Sequence, residues 1–197
     1  VTSTCQLGTA TATGSDTVMT TCSEPGYHQY VSTVCQPGSP SSTGFNTTFT
    51  DCSMPLARHY VTDLCQPGSS TVQGSNTVST PCSDPTDGQY VTEKCSLGYP
   101  SVLGMDTVIQ ACSEPGVGEY VSGLCDGGQS MVLGVNTHIT TCSEPSGGDY
   151  VTTICTSGSH NTLGIDTQTS DCSQPSEAMY VSALCESGAH ATLGTNT

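Results

Sequence analysis

Apolar residues in this chain come in short runs, Tyr-Val-Thr and Thr-Val, set between stretches of Gly, Ser, Pro and Asn. β-Branched and aromatic side chains pack well on a pleated surface, so such runs predict strands. No window shows the 3.6-residue spacing of an amphipathic helix. In "DTVMTTCSEPGYHQYVSTVC" (Asp16 to Cys35) two runs each end in a cysteine, and Cys-Ser-x-Pro turns the chain between them. This stretch reads as a small hairpin. A second turn is predicted at Gly-x-Asp/Asn-Thr, where glycine supplies unusual φ and the Asx side chain bonds its own backbone just before the strand.

The pattern repeats every 30 residues without insertion. Cysteines fall at 5, 35, 65, 95, 125, 155 and 185, and again at 22, 52, 82, 112, 142 and 172. Gly8 to Gly188, Gly14 to Gly194, Pro25 to Pro175 and Tyr30 to Tyr180 keep the same step. The unit is Y-V-[ST]-x-x-C-x-x-G-x5-G-x-[DN]-T-x4-C-S-x-P-x4, present about six and a half times. A fixed period of this size marks a repeat array whose units stabilise one another. The expected fold is all-β, a linear array of disulfide-stapled β-hairpin repeats, rod or solenoid-like, with no helices. One array spans 1–197, with units 1–30, 31–60, 61–90, 91–120, 121–150 and 151–180 and a partial unit at 181–197. Leu103, Leu133, Leu163 and Leu193, with Val34, Leu64, Leu124, Ile154 and Leu184, are candidate contacts between repeats. Capping of each hairpin locally is the competing expectation for them.

Composition explains why cysteine is needed. The 197 residues include no Trp, two Phe, 22 Gly and 13 Cys, too few large apolar groups for one thick core. Small secreted proteins with thin cores use disulfides instead. The cysteines stand alone, 13 or 17 apart, without the paired spacing of a zinc site. Pairing 13 apart joins Cys22–Cys35 through Cys172–Cys185 and leaves Cys5 over; pairing 17 apart leaves Cys185. Loop entropy separates the two schemes by only about 0.2 kcal/mol. The compact turn between Cys82 and Cys95 leans toward 13, and both schemes stay open. Thirteen is an odd number, so one cysteine remains to join another chain.

The run C-S-x-P-x-x-G-x-Y-V-[ST]-x-x-C, as in Cys82 to Cys95, resembles half of a tumour-necrosis-factor-receptor-type cysteine-rich module. The resemblance implies the 13-residue pairing, Cys22–Cys35, Cys52–Cys65, Cys82–Cys95, Cys112–Cys125, Cys142–Cys155 and Cys172–Cys185. Cys5 is then unpaired or intermolecular. The family's second cysteine is Pro85 here, and four residues follow Thr107 before Cys112 where the family has one, so its interlocked second disulfide is absent. Tandem arrays of this kind also resemble secreted surface and fibril proteins of algae and other protists.

Charge and motifs narrow the function. Seventeen acids against Arg58 and Lys94 give −15, which excludes nucleic-acid binding and opposes an acidic membrane surface. No stretch has the roughly 20 apolar residues of a membrane helix. The chain lacks an initiator Met and a visible leader, as in a mature or partial form. His28, His59, His138, His160 and His190 fall at mostly different repeat positions, so no repeated ligand set is expected. His138 beside Ser or Asp reads as an exposed strand residue, not as part of a triad. Asp16, Asp106 and Asp166 alternate with Asn46, Asn76, Asn136 and Asn196 at one position, a turn role; one Asx per unit is too few for calcium. No metal, cofactor or catalytic residue is expected, and the chain is read as a non-enzyme. Asn46-Thr47-Thr48 is the one complete N-glycosylation sequon, and the many Ser and Thr permit O-linked sugars.

The expectation is therefore a structural protein of an extracellular fibre, secreted or on a cell-surface appendage. Its partners would be copies of itself, glycans and other extracellular matrix or surface proteins. The chain begins and ends inside a unit, as expected of a window on a longer array or of a head-to-tail filament. The alternative is a cell-surface adhesive or receptor-like module, with Leu56-Ala57-Arg58-His59 as the best binding candidate. A third, ice binding, is weakened because Val18, Thr48, Val78, Val108, His138 and Gln168 share one position and are mixed.

Overall fold

In a computed structural model the chain, described over residues 1–197, contains ten short strands and no helix. They form five antiparallel pairs: β1 (Gln29–Thr33) with β2 (Thr48–Asp51), β3 (His59–Asp63) with β4 (Val78–Pro81), and β5 (Gln89–Glu93) with β6 (Val108–Ala111). β7 (Glu119–Gly123) pairs with β8 (His138–Thr141), and β9 (Asp149–Thr153) with β10 (Gln168–Asp171). Two compact units result, Val1–Cys82 with Cys95–Asp106, and Ser83–Lys94 with Thr107–Thr197. The same repeat geometry runs through each.

The hairpins close in the other direction from the one read in the sequence. Tyr-Val pairs with the Thr-x4 strand that follows it (Tyr30 opposite Thr50, Tyr120 opposite Thr140), not with the strand before Cys-Ser-x-Pro. The long C-x-x-G-x5-G-x-[DN]-T segment is thus the hairpin itself. Its outgoing and return arms meet only at every third residue, Gln36 with Phe45 and Ser39 with Ser42. Three residues per turn is the spacing of a polyproline-II-like chain, where a pleated strand would alternate by two. The arms approach so closely that a Cβ on Gly38 would lie 2.4 Å from the Gly44 nitrogen. One on Gly44 would lie 2.1 Å from the Gln36 carbonyl oxygen. Two glycines per unit are therefore a steric requirement.

Each Tyr-Val strand then docks on the next hairpin. Val31 donates its N–H to the Pro67 carbonyl at 2.9 Å, and its own carbonyl accepts from Gly74 N–H at 2.9 Å. Cys35 N–H reaches the Ser70 carbonyl at 2.8 Å, while Gln66 and Ser75 join the two arms to each other. Strand, outgoing arm and return arm thus make a three-segment bundle in which every pair is hydrogen-bonded. The bundle recurs at Val61, Val91, Val121 and Val151, each 0–1% exposed. These valines are the core. The leucines expected to join repeats are not: Leu103, Leu133, Leu163 and Leu193 are 51–64% exposed, and Ile154 (39%), Leu124 (47%) and Leu184 (82%) are exposed too. Val34 and Leu64 are half-buried. With arms only one backbone apart, the centre takes small β-branched side chains, the valine and the threonine of Thr47, Thr107, Thr137 and Thr167, while the longer leucines stay largely exposed.

Candidate functional site: the repeat junction

The junction is built from three consecutive residues, Cys-Ser-Glu, each linked to a different part of the fold. The cysteine bonds the one 13 residues on: Cys22–Cys35, Cys52–Cys65, Cys82–Cys95, Cys112–Cys125, Cys142–Cys155 and Cys172–Cys185, with Cα atoms 6.0–6.1 Å apart. Each disulfide closes the junction between one hairpin and the next. Cys5 is the one free thiol and is exposed.

The serine reaches 23 residues on, to the Asx position. Ser23 N–H donates to Asn46 Oδ1 and Asn46 Nδ2 donates to Ser23 Oγ, both at 2.9 Å, while Thr47 N–H also donates to Oδ1. Asn76, Asn136 and Asn196 repeat this clamp on Ser53, Ser113 and Ser173. Asp166 does so with the hydroxyl reversed, Ser143 Oγ–H now donating to Oδ2 at 2.7 Å. A hydroxyl both donates and accepts, which is why Asn and Asp interchange at this position. The two Ser143 bonds hold the Asp166 carboxyl below the usual aspartate range. The predicted local Asx turn is present; the longer clamp was not foreseen.

The acid reaches 46 residues on, past the hairpin that follows it to the tip of the one after. Ser70 N–H donates to Glu24 at 3.0 Å and Ser130 N–H to Asp84 at 2.7 Å. Where the tip is histidine the contact doubles. His160 N–H donates to Glu114 Oε2 at 3.2 Å while its ring Nδ1 bonds Oε1, and His190 makes the same two bonds to Glu144. His160 and His190 share one repeat position and one geometry, a recurring His–Glu pair. The hydrogen bond to Glu114 is the main cause of a raised His160 pKa, with Asp87 3.7 Å from Nε2 adding to it against partial desolvation. His190 in turn holds the Glu144 carboxyl below its ordinary value. At the remaining junction the tip is Pro100, which has no N–H to offer, and Met54 stands in the acid's place.

The other candidates are dispersed. His138 Nδ1 lies 2.5 Å from Ser122 Oγ, which also contacts Thr140 Oγ1 at 2.7 Å. All of this is on an exposed strand face with no acid on the ring. Arg58 adopts φ 61° at the position held by Gly88, Gly118 and Gly148, so the Leu56–His59 segment keeps the turn that glycine makes elsewhere. Shallow clefts beside Cys52–Cys65 and Cys142–Cys155 involve equivalent residues three repeats apart, a product of the repeat and not of one ligand. Asn46 is exposed apart from its clamp. No group of three or more His, Cys, Asp or Glu side chains is placed to hold a metal. Comparison with family models, with curated proteins and with solved structures finds no match.

The junction therefore cross-links segments 13, 23 and 46 residues apart through disulfides and through side chains that accept from backbone N–H groups. Six disulfides point to an oxidising, extracellular or secreted environment, and no helix is long and apolar enough to cross a membrane.

Proposed function

We propose that the chain is a structural protein of an extracellular fibre, self-assembling from disulfide-stapled β repeats and carrying a glycan at Asn46, without enzymatic activity. The observation that carries this reading is the junction. Cysteine and serine tie the repeats at offsets of 13 and 23 residues. At Glu24, Asp84, Glu114 and Glu144 an acid adds a third link at 46, so these links spend the repeated polar side chains on cohesion. A binding module would hold such groups free on variable loops. Cys5, exposed and unpaired, is the thiol that links one copy to another through an intermolecular disulfide. Asn46 suits a glycan because its Nδ2 keeps one N–H for Ser23 after the other hydrogen is replaced.

Electron microscopy of native material at several concentrations, with and without reductant, tests this reading. Uniform fibres that shorten when Cys5 is reduced are expected. Separate short particles at every concentration would remove the fibre reading and favour an adhesive module. Non-reducing gels showing only monomer would remove the intermolecular bond, and peptide mass mapping without a sugar on Asn46 would remove the glycan.

A further inference from the structure

Hairpin arms carry side chains that the fold does not require. In the second compact unit Val132 (57% exposed), Leu133 (51%), Val135 (62%), Leu163 (58%), Ile165 (51%) and Leu193 (64%) lie on three successive return arms. In the first hairpin the positions of Val132, Leu133 and Val135 are held by Ala12, Thr13 and Ser15, and its arms still meet at Thr9–Ala12 and Gln6–Ser15. The next hairpin has Ser42 and Thr43 there and also keeps its geometry. Small and hydroxyl side chains therefore suffice to form the arm. The aliphatic ones leave about half or more of their surface exposed, apolar area that burial would stabilise.

We propose that these return arms pack against the same arms of a second copy of the chain, as a lateral contact within the fibre; this rests on the fibre reading. Two properties select a second copy. The first is charge. Met131 to Val135 and Asn161 to Ile165 contain no ionisable residue, whereas the whole chain carries 17 acids against two cations. Copies repel one another over the acidic remainder and can close only where charge is absent. A basic partner would instead seat on the acids. The second is repetition: Leu133, Leu163 and Leu193 recur at a fixed 30-residue step, and a row of one residue type can meet its own copy across a two-fold axis, as an isologous contact requires. The six side chains present on the order of 600 Å², against about 800 Å² per partner in a standard interface.

The test is sedimentation velocity of the full oxidised chain at low salt and in 0.5 M NaCl, beside the triple variant Leu133→Thr, Leu163→Thr, Leu193→Thr. Thr13 and Thr43 already occupy this repeat position, so the variant keeps its fold; an unchanged thermal midpoint and thiol count verify this. The wild type is expected to self-associate more strongly as salt screens the acids, and the variant at least tenfold more weakly. A monomeric wild type at both salts, association that falls with salt, or an equally associating variant each overturns the proposal. Variant fibres as regular as wild-type ones would sink the strip and leave the fibre reading standing. A strip-dependent dimer that never elongates would do the reverse.

Discussion

Two junctions share one backbone and differ in what fastens the hairpin tip. At one, Cys65 N–H donates to the Pro100 carbonyl at 2.9 Å, Pro100 is fully buried, and Met54 fills the acid position. At the other, Cys125 N–H donates to the His160 carbonyl at 3.0 Å, and Glu114 holds the same tip through backbone and ring. The first is an apolar joint without a titrating group. The second is polar and charged. Acid and tip change together because an acid without an N–H to accept from would bring desolvation and no bond. The side chains therefore tune a contact that the backbone has already made.

The largest effect is expected where both junctions are alike. Gly164→Ala and Gly104→Ala each place a Cβ 2.4 Å from a carbonyl oxygen, of Thr156 and Ser96. Either should undock its hairpin and cost about 3 kcal/mol or more, read from thermal unfolding. An equal loss at both would show that the bundle, not the latch, sets stability; intact unfolding in either would refute the close approach. Cutting a staple comes next. Cys112→Ser with Cys125→Ser, and Cys52→Ser with Cys65→Ser, should each cost about 2–5 kcal/mol in denaturant melts.

Smaller effects separate the junctions. Pro100→Ser with Met54→Glu should rebuild the latch and slow hydrogen exchange at Cys65 N–H, whereas Met54→Glu alone should not. A double-mutant cycle without coupling would break the pairing of these positions. The His-latched junctions should also respond to pH where the Met54–Pro100 junction stays flat. His160 has a raised folded pKa, so its contribution is complete below the unfolded histidine value and fades as pH rises through the folded one. Glu144 has a lowered pKa, so its share is present above the ordinary glutamate value and is lost as pH falls through the folded one. Amide protection at Cys125 should fade as pH rises through the folded His160 value, and that at Cys155 should fade as pH falls through the folded Glu144 value. The smallest expected change is a gain. The Thr137 hydroxyl is buried without a partner, so Thr137→Val should raise stability by about 1 kcal/mol; a lower melting temperature would show that the hydroxyl is satisfied.

Much of this was legible from residue order. The 30-residue step, the all-β character and the strand-forming Tyr-Val runs follow from local preference, and the lean toward 13-residue pairing from the compact turn between Cys82 and Cys95. The direction of hairpin closure was not legible, because Tyr-Val is flanked by a Thr-x4 strand on both sides and local propensity treats the two alike. A three-residue signal was available in Cys35, Gly38, Ser41, Gly44 and Thr47, small side chains where the arms come closest. The acid–tip offset of 46 residues crosses a unit boundary, so a repeat aligned on itself hides it; Met54 with Pro100 was the visible trace.

The sequence by itself therefore determined the repeat, the strand runs and a thin core that needs covalent staples, all consequences of residue type and spacing. Only the tertiary structure decided that valine and not leucine fills that core. Only there did Asn and Asp prove equivalent, through a serine that can donate or accept. Contacts between segments depend on which backbones lie one hydrogen bond apart, and that distance is set by three chain segments packing at once.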